Sequence, residues 1–260
     1  MLTAIALIPA RSGSTRIQNK NIRYLGDHPL LAYTITAAIK SGIFKDVMVS
    51  TDSEHYVRIA RHYGAEVPFL RPVEIAGAKS PDIEWVAYTL ERLKQSRRSY
   101  DCFSILRPTS PFRQPETIRR AWSEFVAEQG VDSLRAVQKC SEHPGKMWVI
   151  REKRMTPLLP LGPVEQPWHS SQYQALPLVH VQNASLEMAW TRVVSETKTI
   201  AGHTVMPFLT QGYEGFDVNK PIDWMVAETL LSAGEASLPE IDLPPFERKL
   251  NDDNHHHDTL

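Results

Sequence analysis

Apolar residues nearly fill positions 2–9 and stop at a polar, cation-bearing stretch that runs to Asn21. A short apolar run of this length predicts a strand buried on both faces. Helical spacing then predicts a helix over 30–41, ended by Gly42, and a second strand over 46–51. Ser53 is placed to cap a helix running to Tyr63, with Gly64 as its stop. A short strand over 66–69, a helix over 83–94 and a strand over 100–106 follow. Pro115 opens a helix through 128, since proline is tolerated in the first turn. Another strand is expected over 131–137.

Strands alternating with helices predict a mostly parallel sheet covered on both faces, a three-layer α/β fold. The ligands of such sheets gather at the carboxyl ends of the strands. The pattern weakens over 140–179, where Pro144, Pro157, Pro160, Pro163, Pro167 and Pro177 interrupt it beside Trp148 and Trp168. We expect an excursion from the sheet there. Strand-like text returns over 178–182 and 215–218, and a last helix is expected over 221–233. The main domain is therefore drawn as 1–238. Residues 239–260 mix proline, acid and histidine without periodicity and read as a surface strap or mobile tail. His255 to His257, flanked by acids, read as exposed and unliganded.

Composition narrows the function classes. The 260 residues carry a formal net charge of -1 and are 42% hydrophobic, enough for one large core. Balanced charge argues against a nucleic-acid binder. No apolar run approaches a bilayer span, and the N-terminal segment lacks the flanks of a signal peptide. The expectation is a soluble cytoplasmic protein. Cys102 lies in an apolar run and Cys140 in a polar one, neither at metal-ligand spacing, so a buried free thiol is expected for Cys102.

The loop after the first strand holds the most chemistry. Arg11 and Arg16 offer planar forks suited to phosphate oxygens, and Lys20 a compact point charge. Gly13 would let the backbone approach a ligand. The loop contains neither G-x-x-x-x-G-K-[ST] nor G-x-G-x-x-G, so it is neither a Walker A loop nor a dinucleotide fingerprint.

Residues Ala10 to Asn21 resemble the A-R-x-G-S-[KT]-R-x-x-x-K-N signature of CTP-using nucleotidyltransferases. Leu106-Arg107-Pro108-Thr109-Ser110-Pro111-Phe112-Arg113 is similar to the L-Q-P-T-S-P-L-R segment of acylneuraminate cytidylyltransferases. Ser50-Thr51-Asp52, Leu70-Arg71-Pro72, His143-Pro144, Leu176-Pro177 with Asn183, and Asp217-Val218-Asn219 match further family elements in the same order. The resemblance implies a Rossmann-like nucleotide-diphospho-sugar transferase fold and a homodimer whose contacts lie in the excursion. It implies attack by the anomeric hydroxyl of a sugar acid on the α-phosphorus of CTP, with Mg²⁺ as cofactor. Arg11 and Lys20 then become the catalytic pair. Ala10, Ser12, Gly13, Ser14, Arg16 and Asn21 join Arg11 around the triphosphate, and Arg71 and Ser80 surround the cytidine. Asp217 becomes the metal ligand, and Thr109, Ser110, Gln182 and Asn183 the polar contacts of the sugar.

Departures from the family pattern carry information too. Thr15 stands where many members have lysine, and Asn219 replaces the second aspartate of a D-x-D. We read Asn219 first as the N-cap of the last helix and second as a metal ligand. Tyr173 and Val181 stand where sialate enzymes place arginines, and Arg107 where they place glutamine. Arg107 is therefore the candidate partner of the sugar carboxylate, a pattern pointing to a pseudaminate- or legionaminate-type acid. Its alternative is a structural ion pair. His143 and Lys146 are either substrate contacts or interface residues. A GT-A type glycosyltransferase and a non-catalytic nucleotide-binding paralogue remain the competing classes.

Overall fold

The computed structural model describes residues 2–14 and 16–246. Thr15 and His255 to His257 lie outside the described residues. Strand β1 (Ala4–Pro9) sits inside a sheet of order β10-β6-β9-β5-β1-β4, the other strands being β4 (Asp46–Ser50), β5 (Cys102–Ile105), β6 (Ser133–Lys139), β9 (His180–Trp190) and β10 (Val205–Leu209). β1 pairs in parallel with β4 and β5, and β5 pairs antiparallel with β9. A small ribbon of β2 (Tyr24–Leu25) and β3 (His28–Pro29) follows the basic loop.

Two-residue periodicity divides the side chains of the sheet between two cores. Ala4, Ala6 and Ile8 of β1 join one core with α1 (Leu30–Ser41), α2 (Glu54–His62) and α4 (Pro115–Ala127). Ile5 and Leu7 face the other, with Trp85, Val86 and Leu93 of α3 (Asp82–Gln95) and Val194 of α5 (Thr191–Thr197). This is the expected three-layer α/β arrangement. Cys102 is a buried free thiol, and burial pushes its pKa up. A third core forms where α6 (Pro221–Ser232) lays Trp224 and Ala227 against Ile17, Leu25 and Phe112. That core holds up the basic loop from below.

Several expectations needed correction. The segment read as a strand over 178–182 is an 11-residue strand reaching Trp190. Its sequence, with Ala184, Leu186, Glu187 and Met188, has helical propensity, and sheet pairing overrides it. α5 was hidden by its valines and threonines, and β10 by Pro207, which an edge strand tolerates. Residues 215–218 form a loop, not a strand. The strand over 66–69 reduces to one bridge between Met48 and Glu66, with Pro68 next to it.

Residues 137–182 form a second compact unit, and 2–136 with 183–246 form the first. The second unit contains an antiparallel hairpin of β7 (Trp148–Arg151) and β8 (Arg154–Pro157). His143 is buried there, accepting from the Gly145 N–H at 3.0 Å and meeting the Pro177 carbonyl at 3.0 Å. The Lys146 ammonium donates to the carbonyls of His169 and Ser171. Both side chains thus brace their own unit. In the first unit, residues 239–246 run along α1 and α2. His62 meets the Pro244 carbonyl at 2.8 Å, Lys40 pairs with Asp242 at 2.8 Å, and the Phe246 N–H donates to Tyr63 at 3.0 Å.

Candidate active site

The carboxyl ends of β1, β4 and β5 all open at one end of the sheet, because the three strands are parallel. A cavity of about 460 Å³ lies there, lined by Arg11, Ser14, Arg16, Lys20, Asn21, Arg71, Ser80, Arg107, Thr109 and Asp217 among others. Most of the residues singled out from sequence therefore share one cavity. Ala10 is fully buried behind it, and its N–H donates to the Ser50 carbonyl at 2.9 Å. Ser110 is buried as well and does not line the cavity; its hydroxyl has no partner. Asn183 is likewise absent from the wall: its amide donates to Thr210 at 2.9 Å and accepts from the Ser185 N–H. Gln182 belongs to the second unit.

The basic loop is held by its neighbours. Asp52, past the end of β4, accepts from the Ser12 N–H at 2.8 Å and the Ser12 hydroxyl at 2.9 Å. Asn21 donates to the Arg11 carbonyl at 3.2 Å. At Gly13 an added Cβ would meet only the Arg11 guanidinium, at 3.9 Å, so this backbone does not itself demand glycine. The Lys20 ammonium donates to the Val218 carbonyl at 2.7 Å and to the Asn219 amide oxygen at 3.4 Å. Burial lowers its pKa below the ordinary lysine value, Asp217 opposing and Arg16 and Arg11 adding to the effect.

Asn219 is not the helix cap. Asp223 accepts from the N–H groups of Asn219 and Lys220, at 2.8 and 2.7 Å, and so satisfies the start of α6 from inside the first turn. The Asn219 side chain instead donates to Asp217 and lines the cavity. The other oxygen of Asp217 is buried without a hydrogen-bond partner among the described residues. An orphaned carboxylate oxygen fits one side of a hard-cation site. Among the described residues no three His, Cys, Asp or Glu side chains gather into a metal cluster. Phosphate and water would have to complete such a site, as is usual for Mg²⁺.

The opposite wall is a chain of polar contacts. Arg71 is buried, donates to the Ser50 hydroxyl at 2.9 Å and the Ser50 carbonyl at 3.0 Å, and stacks over Trp85 at 4.7 Å. Burial lowers its guanidinium to about 10. The Trp85 indole donates to Asp82 at 2.7 Å, and Asp82 pairs with Arg107 at 2.7 Å. Arg107 also pairs with Glu187 at 2.7 Å, and Glu187 with Arg135. Two carboxylates therefore compensate Arg107 while it lines the cavity. Asp82, Trp85, Glu187 and Arg135 were not singled out from the sequence. A lone acid such as Glu187 in an apolar strand is a usable signal, since buried carboxylates are nearly always paired.

Burial alone would raise the Asp82 carboxyl. The charge of Arg107 and hydrogen bonds from Arg107 and Trp85 outweigh it and hold the pKa below the usual aspartate value. Such a group stabilises the fold above its unfolded pKa, and that contribution is lost as pH falls through the folded pKa. Arg107→Gln is expected to cost about 1.5–3 kcal/mol at neutral pH, the range for charged hydrogen bonds. The deficit should shrink as Asp82 protonates in the wild type below pH ~4. Urea denaturation of both proteins across pH checks this, and equal stabilities at pH 7 would contradict it.

Comparison with known proteins follows the same lines. The cytidylyltransferase family model matches residues 5–159. The chain is 33% identical over 241 residues to the CMP-N,N'-diacetyllegionaminic acid synthase of Legionella pneumophila, covering 90% of this chain and 98% of that protein. It is 48% identical over 117 residues to the N-acylneuraminate cytidylyltransferase of Escherichia coli, across 45% of this chain and 27% of the relative. The solved CMP:2-keto-3-deoxy-manno-octonic acid synthetase complexed with CTP superposes with a TM-score of 0.64 at 12% identity, over 89% of this chain and 99% of that one, and shows the shared fold. Motif order, cavity and family match agree: the chain belongs to the cytidylyltransferase family.

Proposed function

We propose that this chain joins CTP to a 2-keto-3-deoxy nine-carbon sugar acid of the legionaminate or pseudaminate type, giving the CMP-sugar and pyrophosphate. One observation carries the reading: Arg11, Arg16 and Lys20 line the cavity at the end of β1, together with Thr109 beyond β5. The legionaminic name of the relative matched along nearly its whole length supports this sugar class. A glycosyltransferase of the GT-A type is disfavoured, because both oxygens of Asp52 are engaged by Ser12.

Phosphoryl transfer needs alignment and charge neutralisation more than covalent help. In this reading Arg11 and Lys20 stand at the α-phosphate, and Arg16 with Ser12, Gly13 and Ser14 at the β- and γ-phosphates. Asn21 fixes the loop, while Arg71 and Ser80 border the cytidine. The sugar acid lies against Thr109 and Ala184. Lys20 is held on the Val218 carbonyl, so little reorganisation is needed when charge grows on the phosphoryl oxygens. Asp217, with Asn219 beside it, would hold Mg²⁺. When bound, the cation would neutralise charge on the phosphate oxygens. Location in the cytoplasm and a homodimer complete the proposal. Ile150, Val164 and Leu178 of the second unit, 71%, 92% and 66% exposed, are apolar side chains that a second copy could cover.

The direct test is pyrophosphate release from CTP, ATP or GTP with legionaminic, pseudaminic and N-acetylneuraminic acids. CTP with one of the first two acids should dominate. Equal rates with all nucleotides, or no release with any acid, would overturn the reading. Lys20→Ala should lower kcat by about two to three orders of magnitude while CTP affinity changes far less. Asp52→Ala frees the Ser12 backbone, so CTP affinity should fall about tenfold with kcat at saturation largely kept. Calorimetry beside steady-state kinetics separates the two effects.

A further inference from the structure

Arg113 is 1% exposed, and among the described residues no carboxylate pairs with it. Its guanidinium donates instead to three oxygens. These are the Arg107 carbonyl at 3.3 Å, the Ser185 carbonyl, and the Thr34 hydroxyl at 2.9 Å. They belong to the turn after β5, to β9 and to α1 respectively. Among the described residues the remaining Nε of Arg113 is buried without a partner, as are the hydroxyls of Ser110 and Ser185. Burial lowers the guanidinium to about 9.

An arginine taken from water with no counter-ion costs stability that an apolar side chain of similar volume would not. Its use must lie in what the fork connects. Arg107 is two residues from Thr109, and Ser185 is next to Ala184. Thr109 and Ala184 line the cavity from two different elements. Among the described residues no other side chain ties both carbonyls: Thr34 approaches only that of Arg107, at 3.5 Å. Lysine could not take over, because a point charge on a flexible stem cannot hold three acceptors in one plane.

We propose that Arg113 is the positioning residue of the sugar-acid wall, fixing the Arg107 and Ser185 carbonyls and thereby the spacing of Thr109 and Ala184 across the acceptor. The inference rests on the reading that the sugar acid lies against those two residues. It leaves the nucleotide side to the loops after β1 and β4, which Arg113 does not touch.

The test compares Arg113→Lys and Arg113→Met with the wild type. Both variants should raise the sugar-acid KM tenfold or more. CTP affinity, measured by calorimetry without the acid, should stay within twofold. A general loss of structure would instead move both substrates together with Tm, and that result, or an unchanged sugar-acid KM, would overturn the proposal. Full recovery by lysine would overturn the need for the fork. If the Arg113 variants do not fold, Thr34→Val removes one acceptor alone and should raise the sugar-acid KM about threefold at constant CTP affinity; no change would count against the proposal. Should the wild type accept no sugar acid, the functional reading fails by itself. Amide hydrogen exchange then decides the inference. Faster exchange at 106–110 and 184–187 in Arg113→Lys, with 2–9 unchanged, supports it, and equal exchange overturns it.

Discussion

The backbone of Val218 joins the parts of the site that are farthest apart in sequence. Its carbonyl accepts the Lys20 ammonium at 2.7 Å, and its N–H donates to the Thr109 carbonyl at 2.8 Å. The loop after β1, the turn after β5 and the loop before α6 are thereby stacked through one residue. Val218 itself is fully buried in the core under Ile17 and Phe112. The geometry of the cavity thus depends on a hydrophobic anchor that carries hydrogen bonds on both sides. A charge taken out of water onto a carbonyl is costly unless its donors are used, and Lys20 gives two of its three to the Val218 carbonyl and the Asn219 amide oxygen.

Electrostatic roles divide along the cavity. One wall runs from Ser50 through Arg71, Trp85, Asp82, Arg107 and Glu187 to Arg135, each contact satisfied by the next. Its ion pairs set shape and compensate Arg107 and Arg135, leaving Arg71 as the cation held without a carboxylate among the described residues. Across from it, no ion pair involves Arg11, Arg16 or Lys20 among the described residues, although all three line the space. A polyanion placed here meets cations outside any ion pair on one side and a shaped, largely ion-paired surface on the other. That asymmetry suits a reaction in which a triphosphate is gripped tightly and a second substrate is oriented.

The sequence made the first half of the molecule readable because its elements obey single rules. Residues 30–41 have helical spacing and a glycine stop, and α1 ends at Ser41 before Gly42 in the left-handed conformation. Ser53 caps α2, and Pro115 opens α4. The cation loop was legible because strand, glycine and basic residues are contiguous. What stayed hidden depends on distant partners. β9 looks helical until Glu187 is seen between two arginines, and Asp223 rather than Asn219 serves α6 because the carboxylate reaches back from the first turn. Arg107 lines the cavity, while the carboxylates that meet it come from α3 and β9. Local pattern names the elements and the polar cluster; it does not say which charges neutralise one another.

In the proposed reaction Lys20 meets the phosphates of CTP as a partly desolvated ammonium held on the Val218 carbonyl. Heteronuclear NMR of the Lys20 side chain, assigned through a Lys20→Arg control and titrated with and without CTP, measures this directly. In the free protein the midpoint should lie below the ordinary lysine value of about 10.4. On CTP binding it should move upward, because nearby phosphate charge favours the protonated form. A midpoint at the ordinary value that CTP does not move would contradict the account.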